Sequence, residues 1–238
     1  LGPLERSLYS EGNIDVTSYA FSHSDWLVKN RLKPDVFLAE VSPPDEDGNM
    51  SLGPIRTFFA APALECAKTV IVQVNRKTPY VYGTKDAFLN VADVTWICEA
   101  DHDLAAFGQP CPTETEQKIA EFILPYFEDG VTFQLGIGGV ANAIGFALEA
   151  FKDLGIHTEM LTDSMMPLID RGVVTGARKT LHPGEVTIGF GLGSTALYKF
   201  MDRNPTLKAY RIDYITNPYV IGQHANFRSI NATLMCDL

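Results

Sequence analysis

Twice in this chain an apolar, β-branched run breaks into glycines and then into a helical pattern, and that arrangement leaves few folds open. Val131-Thr132-Phe133-Gln134-Leu135 is followed by Gly136-Ile137-Gly138-Gly139 and a helix expected from about Ala141 to Lys152. Val186-Thr187-Ile188-Gly189-Phe190 is followed by Gly191-Leu192-Gly193 and a helix expected from Thr195 to Arg203. Parallel neighbours in a sheet need a crossover, and a helix after each strand supplies one. Gly155 is expected to stop the first helix in the left-handed conformation, with Ile156 to Leu161 as the next strand. The pattern predicts an α/β fold with mainly parallel sheets.

The first half of the chain reads the same way. Val36 to Val41 is predicted as a buried strand, Ser42 to Asn49 as a loop because of its prolines and glycine, Pro62 to Lys68 as a helix, and Thr69 to Val74 as a strand inside a parallel sheet. From Asp101 to Pro112 periodicity is lost and Gly108, Pro110 and Pro112 accumulate, so this is the expected linker between two α/β units, residues 1–106 and 107–238. Thr113 with Glu116 three residues on has the form of a capping box, opening a helix whose Ile119, Phe122, Ile123 and Tyr126 share one face. Ser229 to Asp237 reads as a strand with no element after it, and Leu1 is not a methionine, so both ends are expected to be cut.

With 46% hydrophobic residues the chain can bury a sizeable core, and 29 acidic against 19 basic side chains give a net charge of -10. That charge repels nucleic acid and anionic membrane surfaces, so an anionic ligand has to meet a local basic patch. Cys66, Cys98, Cys111 and Cys236 are scattered, with no histidine at ligand spacing; they predict reduced thiols in a cytoplasmic protein and no metal site. No apolar run approaches the roughly 18 residues of a membrane span.

A glycine loop between strand and helix lets the backbone approach a ligand and aims unpaired amides at it. Glu159 lies in the next strand, in an otherwise apolar pattern, so loop and carboxylate are expected at the same carboxyl-terminal sheet edge. Two chemistries fit. In one, Gly136-x-Gly138-x-x-Ala141 is a dinucleotide fingerprint and Glu159, about 20 residues on, binds a ribose hydroxyl. In the other, Glu159 attacks an activated acyl carbon while loop amides hold the oxyanion. A strand-end salt bridge is the plainer alternative for Glu159. His157 reads as an orienting or surface residue, His182 before Pro183-Gly184 as part of a turn, and Arg171, Arg178 and Lys179 as a solvated face or as partners for phosphates.

Five segments in order, Val41 to Gly48, Gln134 to Ala143, Leu154 to Met160, Lys179 to Gly184 and Asp213 to Pro218, resemble the acetyl-CoA hydrolase/transferase family, particularly its 4-hydroxybutyrate and butyryl CoA-transferases. The resemblance implies two CoA-transferase-type (NagB/RpiA-like) α/β domains, both incomplete here, with the active site at their junction. It implies Glu159 as catalytic nucleophile, the Ile137 amide as oxyanion donor and Asn217 near the carboxylate. Gly136, Gly138, Gly139, Asn142, Gly191 and Gly193 are the candidate substrate and coenzyme A contacts. Ala141 departs from the proline of many relatives in this branch. Full-length relatives carry roughly a hundred further residues before this region and a second glycine-rich loop after it. The expected substrates are acyl-CoA and small carboxylic acids, with coenzyme A as substrate and covalent intermediate, no permanent cofactor or metal, and a homo-oligomer.

Overall fold

The computed structural model describes residues 3–55, 60–108 and 111–233. A short helix α1 (Pro3–Ser10) precedes an irregular stretch, a 3-10 turn (Phe21–His23) and α2 (Ser24–Leu27). Next come β1 (Val36–Val41), β2 (Asn49–Ser51), α3 (Ala60–Cys66), β3 (Thr69–Val74), β4 (Phe88–Asn90) and β5 (Trp96–Glu99). β1, β3 and β5 form a parallel sheet in that order, with Val36 opposite Thr69 and Ile71 opposite Trp96, while β2 and β4 make a small antiparallel ribbon. Val41, Met50, Leu52, Val70, Val72 and Leu89 are its buried core.

β1 and β3 have the expected bounds, but β1 is buried on one face only: Leu38 is 73% exposed and Val36 52%. An unbroken apolar run does not distinguish a covered face from an open one. The loop after β1 gives way to strand at Asn49, one residue earlier than expected; Asp45 closes it, accepting from the backbone amides of Asp47 (3.0 Å) and Asn49 (2.8 Å).

The second sheet is five-stranded, entirely parallel and ordered β10-β6-β7-β8-β9. Its elements are α4 (Glu114–Ile123), β6 (Thr132–Leu135), α5 (Gly139–Ala147), β7 (Gly155–Leu161), α6 (Met166–Asp170), β8 (Val186–Gly191), α7 (Thr195–Met201), β9 (Leu207–Ala209), α8 (Ile212–Ile215), α9 (Pro218–Ile221) and β10 (Phe227–Ile230). Phe133, Leu135, Ile144, Ile156, Ile188 and Leu197 are all but fully buried between sheet and helices.

Several expectations shift. The capping box is present, yet α4 turns Ala120 inward with Ile123 partly buried behind it, leaving Phe122 80% and Tyr126 69% exposed. α4 packs on α5, and small side chains at Ala120 and Ala143 allow the helices to come close, which decides the roll. Asp153, at φ 54°, takes the left-handed position instead of Gly155, which is the first residue of β7. A Cβ at Gly155 would run into the Lys179 side chain and come within 2.9 Å of the Thr132 hydroxyl, so the glycine serves packing. α5 and α7 end earlier than predicted, at Ala147 and Met201. β10 ends at Ile230 and residues 231–233 are not strand, while 234–237 lie outside the described residues.

Residues 101–108 have no regular structure, but they are tied down. Asp101 accepts from Arg76 Nε at 2.7 Å, the Tyr198 hydroxyl donates to the Ala105 carbonyl at 3.1 Å, and Phe107 N–H donates to the Gly193 carbonyl at 2.8 Å. The two sheets are also joined through Gly83, bridged in parallel to Ala209 at the β9 edge.

Candidate active site

Glu159 is the fifth residue of β7, between β6 and β8, and is half-buried among buried neighbours. Burial raises its pKa above the ordinary carboxylate value, because the charged form loses hydration. β6 and β7 pair through Thr132 opposite Gly155 and Phe133 opposite Ile156. The ladder ends at that pair; both strands run on in parallel, β6 to Leu135 ahead of the glycine loop and β7 past Glu159 to Leu161.

The glycine loop is built on β6 and anchored by the Gly136 N–H, which donates to the Ile230 carbonyl at 2.8 Å. Gly138 caps α5 at φ 109°, a conformation that favours glycine, with open space where a Cβ would stand. At Gly139 the Glu116 carboxylate lies against the Cα, so the glycine makes room for the capping box of α4. Between them the Ile137 side chain is 69% exposed, and its amide donates to none of the described residues.

His157 is 1% exposed. Its Nε2 donates to the Ile215 carbonyl at 2.9 Å, which fixes the proton on that nitrogen and ties α8 to β7. Burial holds its pKa down at about 4, so the ring is neutral and orients rather than acting as a base. Asn217 follows two residues after Ile215, as Glu159 follows two residues after His157, so one hydrogen bond links the neighbourhoods of both. The Asn217 side chain itself caps α9, accepting from Tyr219 N–H at 2.9 Å.

The remaining sequence candidates divide. Asn142 is 3% exposed inside α5. The Gly191 N–H donates to the Pro54 carbonyl at 2.7 Å, and a Cβ there would strike the Met201 sulfur. At Gly193 a Cβ would meet the Asp163 carboxylate, which also accepts from the Ser194 hydroxyl and, at 3.0 Å, from the Ser194 N–H. An internal carboxylate thus occupies the start of α7. Lys179 is not on a solvated face: it is 5% exposed, donates to the Glu185 carbonyl (2.6 Å) and the Thr187 hydroxyl (3.0 Å), and burial lowers its pKa to about 8. Arg171 pairs with Glu149 and Arg178 with Asp153. His182 is in a turn at φ 51°, between the hydroxyls of Tyr214 (2.7 Å) and Tyr210 (3.0 Å).

Sequence reading missed Tyr19, Phe21 and Arg211. Arg211 caps α8 and binds Asp25 (2.5 Å), Asp213 (3.0 Å) and Glu65 (3.2 Å), clasping α2 and α3 to the second sheet. Nothing local marks it, because two of its partners lie over a hundred residues away. Arg211→Ala leaves three carboxylates without their shared cation at a site that is 22% exposed for the arginine. The expected loss lies between the values for surface and buried pairs, about 2 kcal/mol, read as a lower urea midpoint.

A cleft of about 600 Å³ lies elsewhere, between Ser42, Tyr80, Tyr198, Lys199 and Arg203. None of the predicted site residues lines it, and its Lys77 is already paired with Asp103. Among the described residues no acidic, histidine and cysteine cluster could hold a metal, and no helix is long and apolar enough to cross a membrane.

Family models match at both ends: the acetyl-CoA hydrolase/transferase N-terminal domain over residues 6–108 and the C-terminal domain of the same family over 193–238. The chain belongs to the acetyl-CoA hydrolase/transferase family. It is 39% identical over its whole length to the 4-hydroxybutyrate coenzyme A transferase of Clostridium kluyveri, of which it covers 55%. RipA of Yersinia pestis superposes with a TM-score of 0.93 at 31% identity, covering 98% of this chain and 56% of RipA. The 4-hydroxybutyrate CoA-transferase of Porphyromonas gingivalis superposes at 0.86 with 36% identity, covering 95% of this chain and 58% of the other. The chain spans about half the length of the relatives it matches.

Proposed function

We propose that this chain is the part of a CoA-transferase that carries the nucleophile, Glu159, and that the whole protein exchanges coenzyme A between an acyl-CoA and a small carboxylate such as acetate. The acyl group is of the 4-hydroxybutyryl, butyryl or acetyl kind, and residues 1–106 and 107–238 belong to two successive domains. The observation that supports this most is a desolvated carboxylate on a central parallel strand, next to the strand that leads into a glycine loop whose Ile137 amide donates to none of the described residues. Burial makes the ionised carboxylate a stronger nucleophile, and a thioester is reactive enough to be attacked by one.

Glu159 adds to the thioester carbonyl while the Ile137 N–H holds the oxyanion; collapse expels the CoA thiolate and leaves an acyl-glutamyl anhydride. The thiolate then attacks the glutamyl carbonyl and releases the first carboxylate, leaving a glutamyl-CoA thioester. The incoming carboxylate reverses these steps, so the exchange is ping-pong and balances without ATP. Asn217, Asn142 in the first turn of α5 and the glycines Gly136, Gly138, Gly139, Gly191 and Gly193 shape the loops around this centre, Gly191 and Gly193 through packing.

The deciding experiment incubates the full-length protein with acetyl-CoA, then treats it with borohydride or hydroxylamine and maps the modification by mass spectrometry. Modification confined to the peptide carrying Glu159 is expected. An unmodified peptide from an enzyme that turns over would overturn the reading. Because the family name covers hydrolysis as well, rates with and without an acceptor carboxylate separate transferase from hydrolase.

A further inference from the structure

The stretch ahead of α2 crosses from the first unit to the strand that carries Glu159. Phe21 packs against the buried cluster of Met160, Phe190 and Ile212, and Met160 is the residue next to Glu159. The Tyr19 ring lies 5.8 Å from that of Phe21, tilted by 49°. The stretch is fixed in place: Asp25, four residues on from Phe21, is bound by both Arg211 (2.5 Å) and Lys29 (2.8 Å), and Lys29 also pairs with Glu65. Burial first and the charge of Glu159 second raise the Tyr19 pKa.

We infer that Tyr19 and Phe21 form the wall against which the acyl chain of the thioester rests as Glu159 attacks, and that this wall sets the chain length accepted; the inference rests on Glu159 being the nucleophile. When the carbonyl carbon touches the carboxylate, the tail of the acyl group has to leave in a direction not occupied by β7 or its neighbours. On the side facing the first unit, Phe21 packs on the cluster that holds Met160 and the Tyr19 ring lies beside it. Rings suit this role because they present a large rigid surface at small conformational cost. Tyr19, half-buried and outside any helix or strand, can be cut back without removing a core residue, whereas Phe21 is part of the packing.

The test uses the full-length enzyme with acetyl-, butyryl- and hexanoyl-CoA and one acceptor acid. Tyr19→Ala opens the wall, so the hexanoyl-to-acetyl ratio of kcat/KM is expected to rise about tenfold or more, since each methylene is worth that order in an apolar pocket. Tyr19→Phe keeps the ring and is expected to hold the ratio within about twofold of the parent. An unchanged ratio in Tyr19→Ala, or an equal fall for all three esters, would overturn the wall. The ratio is read apart from the Glu159 adduct, so an adduct with an unchanged ratio removes the wall alone. A missing adduct removes the nucleophile, and the inference with it.

Discussion

Glu159→Ala in the full-length protein is expected to abolish CoA transfer, a loss of roughly three orders of magnitude or more, with the fold intact. The size follows from the role: without the carboxylate no anhydride or glutamyl thioester can form, and no other group supplies that covalent step. Stability is expected to hold, because the half-buried carboxylate loses hydration in the folded state and its removal relieves that cost. Two milder variants sharpen the test. Glu159→Gln keeps shape and polarity but cannot attack, and should be as inactive as alanine. Glu159→Asp keeps the charge but withdraws it by one methylene, and a displacement of that order costs about a hundredfold when the group must reach a reacting atom. Activity in the aspartate variant close to that of the parent would instead mark a residue that only balances charge.

Much of this fold could be read because its signals are local. The bounds of β1 and β3 follow from bounded β-branched runs, and the Thr113–Glu116 capping box follows from two residues three apart. The errors arise where a distant partner decides. α4 shows its large apolar residues to solvent because α5 offers small ones to pack on. Gly155 is a glycine because the Lys179 side chain, 24 positions on, passes over it, and Asp153 is left to take the helix-ending conformation. Glu159 and its loop could be paired from the strand-helix-strand order alone, since that order puts both at one sheet edge. Tyr19, Phe21 and Arg211 could not, because only folding brings the first unit onto β7 and α8.

Acid should unfold this protein earlier than its carboxylates alone would require, through two histidines. His157 and His224 are 1% and 7% exposed, with ring centroids 4.8 Å apart, and burial pulls each pKa down from 6.5 to about 4. Lys179 and His182 face the pair and add to the depression. Below pH 6.5 the unfolded chain takes up protons that the folded one refuses, so the stability these rings permit is whole above pH 6.5 and is lost as pH falls towards 4. By pH 4.5 the loss is about 2 to 3 kcal/mol for each ring, a large part of a typical domain's margin. Glu159 works in the opposite sense, its raised pKa favouring the folded state as pH falls, while His182, its pKa also lowered by burial, adds to the side of the two rings. Lys179 is protonated in both states throughout this window and adds no slope. His224→Phe isolates the effect: neither ring nitrogen has a partner among the described residues, and the ring already stacks on Phe227 at 5.5 Å, so phenylalanine keeps the packing and discards unpaired polar atoms. The variant is expected to be at least as stable as the parent at pH 7.5, and to lose about half as much stability on going to pH 5, in urea titrations at both values. A parent whose midpoint does not move between those pH values would show that the rings titrate normally, and a variant that keeps the full slope would clear His224.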